Sequence, residues 1–396
     1  MSEIKVNSIK GVGSTDAAIT INNSDGTCTA NLTNKPNRNL IINGAMQVAQ
    51  RGTSSTANGY GSVDRIYVGN SGVDEAPTHA QVDVASGTTP YTLGLRKALK
   101  ITNGNQTSGA GAADYIYFNA QAIEAQDLAN SGWNFKSSSS NITLSFYVKS
   151  SVAQNFYFQF DVRDGTRYNY TMETGSLTAD TWTKVTKTIP GNSNLTIDND
   201  NGVGAFITFG LFWGTNYTGS MSLNTWGVAS DSLKTPDNTS TWYTTNDATF
   251  EITGVQLEVS DHASDFQFKS FAEELVLCQR YFYMHANGSE SAAGSGGSGL
   301  CPIMSGAWYN GSTFVGVVTF PTRMRTSPSI YKVQGTDYFS ILSNNTLDTN
   351  DSVSITRSST TTASLWLEGN ASGTQGHGGY ARTHSSSARI GFQAEL

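Results

Sequence analysis

Charge is scarce in this chain. Of its 396 residues only 14% are Asp, Glu, Lys or Arg, against about 25% in an average soluble domain, and Ser, Thr, Asn and Gly stand in their place. Such a surface is solvated by neutral polar groups. Cations are the scarcer sign: 24 Lys and Arg against 31 Asp and Glu leave a net charge of −7. Gripping a phosphate backbone needs clustered cations that release counterions, so nucleic acid is not an expected partner. Cysteine is nearly absent. Cys28, Cys278 and Cys301 are an odd count, far apart and without a C-x-x-C pair, which predicts neither a disulfide framework nor a zinc site. No run of 18 apolar residues occurs, and the opening MSEIKVNSIKG lacks the apolar stretch of a signal peptide. Neither membrane insertion nor secretion by that route is expected.

Catalytic and cofactor motifs are missing too. There is no GxSxG, no HExxH and no GxxxxGK[ST] phosphate loop, so no cofactor is expected. Asp198-x-Asp200 matches the opening of a calcium loop, but Gly202 sits one position early and no glutamate stands at the twelfth position. His79, His262, His285, His377 and His384 have no metal-like spacing and read as exposed or loop residues. The carboxylate pairs a glycosidase would need, Asp161 with Asp164, Asp198 with Asp200 and Glu273 with Glu274, read as solvated turns or a helix start.

What the chain does have is apolar residues (37%) and aromatics (11%) in period-2 patterns. Ile142, Leu144, Phe146 and Val148 share one parity, and Phe156, Phe158, Phe160 and Val162 repeat it. Ala205, Ile207, Phe209, Leu211 and Trp213 form a third strand pattern, with Phe206 and Phe212 on the other face. Val63–Val68, Leu95–Ile101, Tyr115–Asn119, Trp182–Ile189 and Phe250–Val259 add further strands, and Ala120–Ala129 reads as one short helix. Between Phe250 and Val259 the alternation slips at Gly254, which predicts a bulge. Ser270 stands three residues ahead of Glu273 like a capping box, and Phe271, Leu275, Cys278 and Phe282 recur at helical spacing. Short strand patterns about ten residues apart then run from Phe314 to Phe392.

The predicted fold is mainly β: an antiparallel jelly-roll-like sandwich, a short helix and a second, smaller β-sandwich domain. The divisions are an N-terminal segment 1–38, too thin in apolar residues to fold alone, a body 39–268, a connecting helix 269–286, and a C-terminal β domain 287–396. The last of these opens with the linker-like Asn287–Gly299.

Five stretches carry a resemblance to a known family. NLIINGAMQVAQRG from Asn39 with Val63-Asp64-Arg65, ITGVQLEV from Ile252, EELVLCQRYF from Glu273, FPTRMRTSP from Phe320 and GFQAEL from Gly391 come in the order found in bacteriophage tail-fibre proteins. The chain resembles such a fibre from Asn39 to its end, and only loosely before that. The resemblance implies a non-enzymatic receptor-binding protein of the virion, assembled in the host cytoplasm as a homotrimer. Residues 1–38 would dock on a tail or adaptor protein, and the C-terminal domain would meet a host surface polysaccharide or other receptor. A structural head or tail decoration protein, a polysaccharide depolymerase and a stand-alone bacterial carbohydrate-binding module are the alternatives.

The composition itself suits sugars, whose C–H faces stack on aromatics and whose hydroxyls meet neutral polar groups. The ligand-binding residues expected in the C-terminal domain are Trp308, Tyr309, Trp366, His377, Tyr380 and His384. In the body, Tyr147, Tyr157, Tyr168, Tyr170, Trp226, Trp242 and Tyr243 are the aromatics to weigh, with loop packing or a subunit interface as their simpler role.

Overall fold

Two antiparallel sheets of six strands each pack face to face in the computed structural model of the chain. The structure describes residues 6–10, 19–21, 24, 28–30, 39–290 and 300–396. The first sheet runs in the spatial order Trp226–Val228, Tyr168–Glu173, Tyr157–Val162, Val203–Trp213, Tyr115–Glu124, Tyr67–Ser71. The second runs Thr183–Pro190, Asn141–Ser150, Thr249–Glu258, Lys97–Thr102, Thr78–Asp83, Ser54–Ser55. Strands neighbouring in space are mostly distant in sequence, as in a jelly roll.

Between the sheets lies an aromatic core. Phe209 stacks on Phe118 at 4.9 Å and on Phe158 at 5.0 Å, while Phe146 of the opposite sheet meets it edge-on at 5.0 Å. Ile142, Leu144, Phe146 and Val148 all point into this core, as their shared parity predicts. Gly254 is the expected bulge. Its φ is +64° and the pairing with Asn141–Ser150 shifts register between Thr253 and Gln256.

Several expectations are corrected. The stretch Ala120–Ala129 is helical only over Ala125–Ala129, because Ala120 to Glu124 continue a ten-residue strand paired with Val203–Trp213. Val63 to Ile66 form a turn in which Arg65 takes φ +72°, so that strand begins at Tyr67. His79 and His285 are not loop residues: both sit in strands, His79 buried with Nδ1 2.7 Å from the Ser62 hydroxyl, His285 with Nε2 2.7 Å from the Ile303 carbonyl.

The helix Phe271–Gln279 starts at Ser270 with both bonds of the capping box formed. Beyond it, Phe282–Asn287 is a strand of a three-stranded sheet with Arg389–Gln393 and Ser329–Val333. A seven-stranded sheet faces it, in the order Thr346–Asn350, Phe339–Ser343, Gly378–Thr383, Pro302–Asn310, Thr313–Thr319, Thr362–Glu368, Ser352–Ser358. This second sandwich has its own core, from Ala286 to Ala394. Of the N-terminal segment, Ser8–Ile9, Ile19–Ile21 and Cys28–Ala30 pair as a small antiparallel sheet. Residues 1–5, 11–18, 22–23, 25–27 and 31–38, and 291–299 of the linker-like stretch, lie outside the described residues.

The two sandwiches are joined by charged and backbone contacts. Glu395 pairs with Arg65, and with Arg51 at 3.2 Å; Arg65 also lies 3.4 Å over the Tyr281 ring. Arg280 grips Glu124 with two bonds of 2.7 and 2.8 Å. Burial would raise the Glu124 carboxyl, but the bonds from Arg280 and Tyr281 outweigh it and hold the group below the usual carboxylate range. Gln50 donates to the Phe282 carbonyl, and Arg325 donates to the carbonyls of Ala394, Glu395 and Asn201. All five stretches that carry the family resemblance therefore touch this junction or the bulged strand behind it. Gly44, for its part, lies so close to the Val255 carbonyl that a Cβ would sit 2.1 Å from the oxygen.

Candidate functional site

A cleft of about 480 Å³ opens on the outer face of the first sheet. Its floor follows from strand alternation. Ile116 and Phe118 point into the core, so Tyr115, Tyr117 and Asn119 point out. Across the sheet, Tyr67, Asn119, Thr208, Gln159 and Thr171 stand opposite one another on five strands. One register step away the sequence is Gly69, Tyr117, Gly210, Tyr157 and Glu173.

The two glycines beside Tyr117 let aromatic rings lie down on the sheet. A Cβ at Gly69 would come within 2.6 Å of the Tyr117 ring, and one at Gly210 within 2.2 Å of Trp213 Nε1. Tyr117 and Trp213 then stack at 5.3 Å with their planes 16° apart, and Tyr67 continues the row at 6.2 Å and 26°. Tyr60 stands edge-on to Tyr67, and Tyr217 edge-on to Trp213. The result is an aromatic platform of partly covered rings: Tyr67 and Tyr117 are half-buried, and Trp213 is 7% exposed. Burial pushes the Tyr117 hydroxyl up to about 12 and the Tyr60 hydroxyl higher still, so both remain protonated donors at neutral pH. Tyr60 donates to a main-chain oxygen of Leu396 at 3.0 Å, which brings this part of the second sandwich to the rim of the cleft.

The far half of the cleft is charged. Asp161 is buried on the outward parity, and its Oδ2 accepts from Arg163 at 2.9 Å and Arg167 at 2.8 Å. Arg167 reaches on to Asp231, which Lys234 also holds at 2.6 Å. The hydrogen bond and charge of Lys234 keep the Asp231 carboxyl below its usual range. Between the platform and these charges lie the neutral groups: Thr208 donates to Asn119 at 2.7 Å and Gln159 to Thr171 at 2.9 Å.

Sequence reasoning missed this site. The alternation groups Trp213 with Ile207, Phe209 and Leu211 on a strand covered on both faces, but a register shift between Gly210 and Phe212 turns Phe212 inward, against Tyr243 at 4.2 Å, and puts Trp213 on the outer face, where its neighbours leave it 7% exposed. Trp242, Tyr243 and Tyr170 are buried and contribute packing, and Trp226 anchors its indole nitrogen on the Pro190 carbonyl at 2.7 Å. The alternation of Tyr115 and Tyr117 against Ile116 and Phe118 was the signal available in the sequence.

The six residues expected in the C-terminal domain do not form one site. Trp308 is buried with Gly373 against its indole and Phe314 edge-on at 5.6 Å, and with His377 it lines a small pocket of about 200 Å³. Tyr309 and Trp366 meet at 5.4 Å on the outer face of the seven-stranded sheet. Tyr380 stands on that sheet opposite Ser305 and Leu342, and exposed His384 follows the strand, its backbone bonded to Tyr338. Asp198 and Asp200 form turns, with the Asp164 carboxylate accepting from Asp198 N at 2.9 Å and Asp200 from Gly202 N at 2.8 Å. Among the described residues no group of three His, Cys, Asp or Glu could hold a metal.

Compared with known proteins by sequence, the chain matches no family model and no curated relative. Among solved structures it is similar to the enzymatically active domain of tailspike protein 4 of bacteriophage CBA120, at TM-score 0.32 and 10% identity over 57% of this chain and 22% of that one. It is similar to a CBM4 structure at TM-score 0.28 and 15% identity, covering 56% of this chain and 99% of that one. The family 11 carbohydrate-binding module of Clostridium thermocellum, solved with a β-1,3-1,4-mixed-linked tetrasaccharide, scores 0.25 at 11% identity, over 53% of this chain and 98% of that one. Likenesses of this size carry no argument about function, which rests on the cleft itself.

Proposed function

We propose that this chain is a non-enzymatic glycan-binding component of a phage tail fibre, and that its sugar site is the cleft on the body sandwich. The observation that carries the glycan reading is the Tyr67–Tyr117–Trp213 platform bordered by Asn119, Thr208 and Gln159. The half-buried rings of Tyr67 and Tyr117 offer area to pyranose C–H faces, and the neutral groups beside them suit hydroxyls. Binding without turnover fits the carboxylates present. Asp161 and Asp231 are both ion-paired, whereas glycoside hydrolysis requires one carboxyl kept protonated as the acid. The fibre setting rests on the family resemblance, as do the homotrimer and the docking of residues 1–38 on the virion. Three copies would add avidity to sites that are each weak.

Tyr117→Ala and Trp213→Ala, assayed on an array of bacterial surface polysaccharides, test the glycan reading. Loss of binding in variants that melt like the parent supports it. A parent that binds no glycan, or variants that bind as well as the parent, would overturn it. Release of new reducing ends from a bound polysaccharide would overturn the non-enzymatic part alone.

A further inference from the structure

We propose that the charged half of the cleft is a subsite for a carboxylate-bearing sugar, so that the ligand of this site is an acidic glycan. This rests on the glycan reading of the cleft and adds the chemical class.

The argument begins with where the charges point. Three cations, Arg163, Arg167 and Lys234, and two side-chain anions, Asp161 and Asp231, line this half of the cleft. Asp161 is buried and already shared between the two arginines, so it is spent holding them in place. The Asp231 side chain is 79% exposed and faces solvent, where water and salt screen it. The guanidinium groups lie between these extremes, with the Arg163 and Arg167 side chains 33% and 27% exposed. They are the charges a ligand would meet. In a chain of net charge −7 this is a local reversal of sign.

Donor geometry points the same way. A guanidinium carries five N–H groups in a planar fork matched to a carboxylate. Arg163 spends one of them on Asp161 and is steadied by the Phe206 ring, 5.1 Å away. Its other N–H groups are free to pair with a carboxylate in the cleft. Arg167, bonded to both Asp161 and Asp231, is the fixed backing of the pair. By strand register the row of Asn119, Thr208 and Gln159 lies between the row of Tyr117 and that of Asp161. A saccharide lying along the cleft would place one ring against Tyr67 and Tyr117 and present the carboxylate of a neighbouring ring to Arg163.

The test compares an oligomer of hexuronate residues with the same oligomer carboxyl-reduced to neutral hexose, by titration calorimetry with the full chain at low and high salt. Parent protein should bind the acidic oligomer more tightly, and salt should weaken that binding alone. Arg163→Gln should weaken the acidic oligomer by about tenfold or more, the scale of a charged hydrogen bond, and leave the neutral one unchanged. Tyr117→Ala should weaken both. Equal parent affinity for the two oligomers, or an Arg163→Gln loss shared equally by both, overturns the acidic subsite while the glycan reading stands. If the parent binds neither oligomer and no array glycan, the glycan reading fails and the subsite with it. A matching melting temperature for Arg163→Gln and parent shows that a loss of binding is not a loss of fold.

Discussion

Removing the Glu395 side chain should loosen the whole molecule, although it lies one residue from the last described position. The Arg65 side chain is 0% exposed and the Glu395 side chain 9%, and Arg51, at 3%, shares the same carboxylate. Glu395→Ala would leave Arg65 with the Ala122 carbonyl at 2.7 Å and the Tyr281 ring, but no counter-charge. Breaking one partner out of a buried ion pair costs about 3–5 kcal/mol, because the remaining charge stays desolvated. With a denaturant slope of roughly 3 kcal/mol per molar urea, the unfolding midpoint should fall by about 1 M or more. The second sandwich should also become accessible to protease at Arg325, since its bonds run to the carbonyls of Ala394 and Glu395. Replacing the triad together, as Arg51→Met, Arg65→Met and Glu395→Met, removes every charge at once and should recover most of the loss. A Glu395→Ala cost below about 1 kcal/mol, or a triple variant no more stable than the single one, would refute the assignment of the loss to stranded charge.

Gly69→Val should evict the Tyr117 ring from the sheet face, since a Cβ there lies 2.6 Å from it; glycan binding should fall while the melting point shifts by only a few degrees. Burial pushes the Asp64 carboxyl up to about 6 from 3.8, against the bonds it accepts from Gln50. Between those values the native state keeps a proton that the unfolded chain has released, so stability from this group falls as pH rises, by roughly 1.4 kcal/mol per unit. Asp64→Asn should flatten the profile of urea midpoint against pH over that window, and parallel profiles for parent and variant would contradict this. Ser270→Ala removes the acceptor for the Glu273 amide and should cost about 1 kcal/mol, read from the same urea titrations.

Much of the fold is legible in the sequence because it depends on local periodicity. The two-residue alternation of Ile142 to Val148, the slip at Gly254 and the Ser270 capping box each state a backbone conformation in a few neighbouring residues, and each is found in the structure. Expectation failed where tertiary pairing overrode local signal. Ala120 to Glu124 have the composition of a helix but are held in a strand by Val203–Trp213.

The division for the site is sharper. From sequence alone follow a mainly β chain, a surface of neutral polar groups and many aromatics, which together favour a neutral or sugar-like ligand over a phosphate backbone. Which aromatics meet was decided only by the tertiary structure. Tyr67, Tyr117 and Trp213 are brought into one row by strand order and by a bulge that reverses parity at the end of Val203–Trp213. Gly69 and Gly210 leave the space that the Tyr117 and Trp213 rings occupy. The charged fork opposite them is a product of folding only in part: Asp161, Arg163 and Arg167 meet within one hairpin, whereas Asp231 and Lys234 are brought to it from a distant stretch that no local pattern links to it.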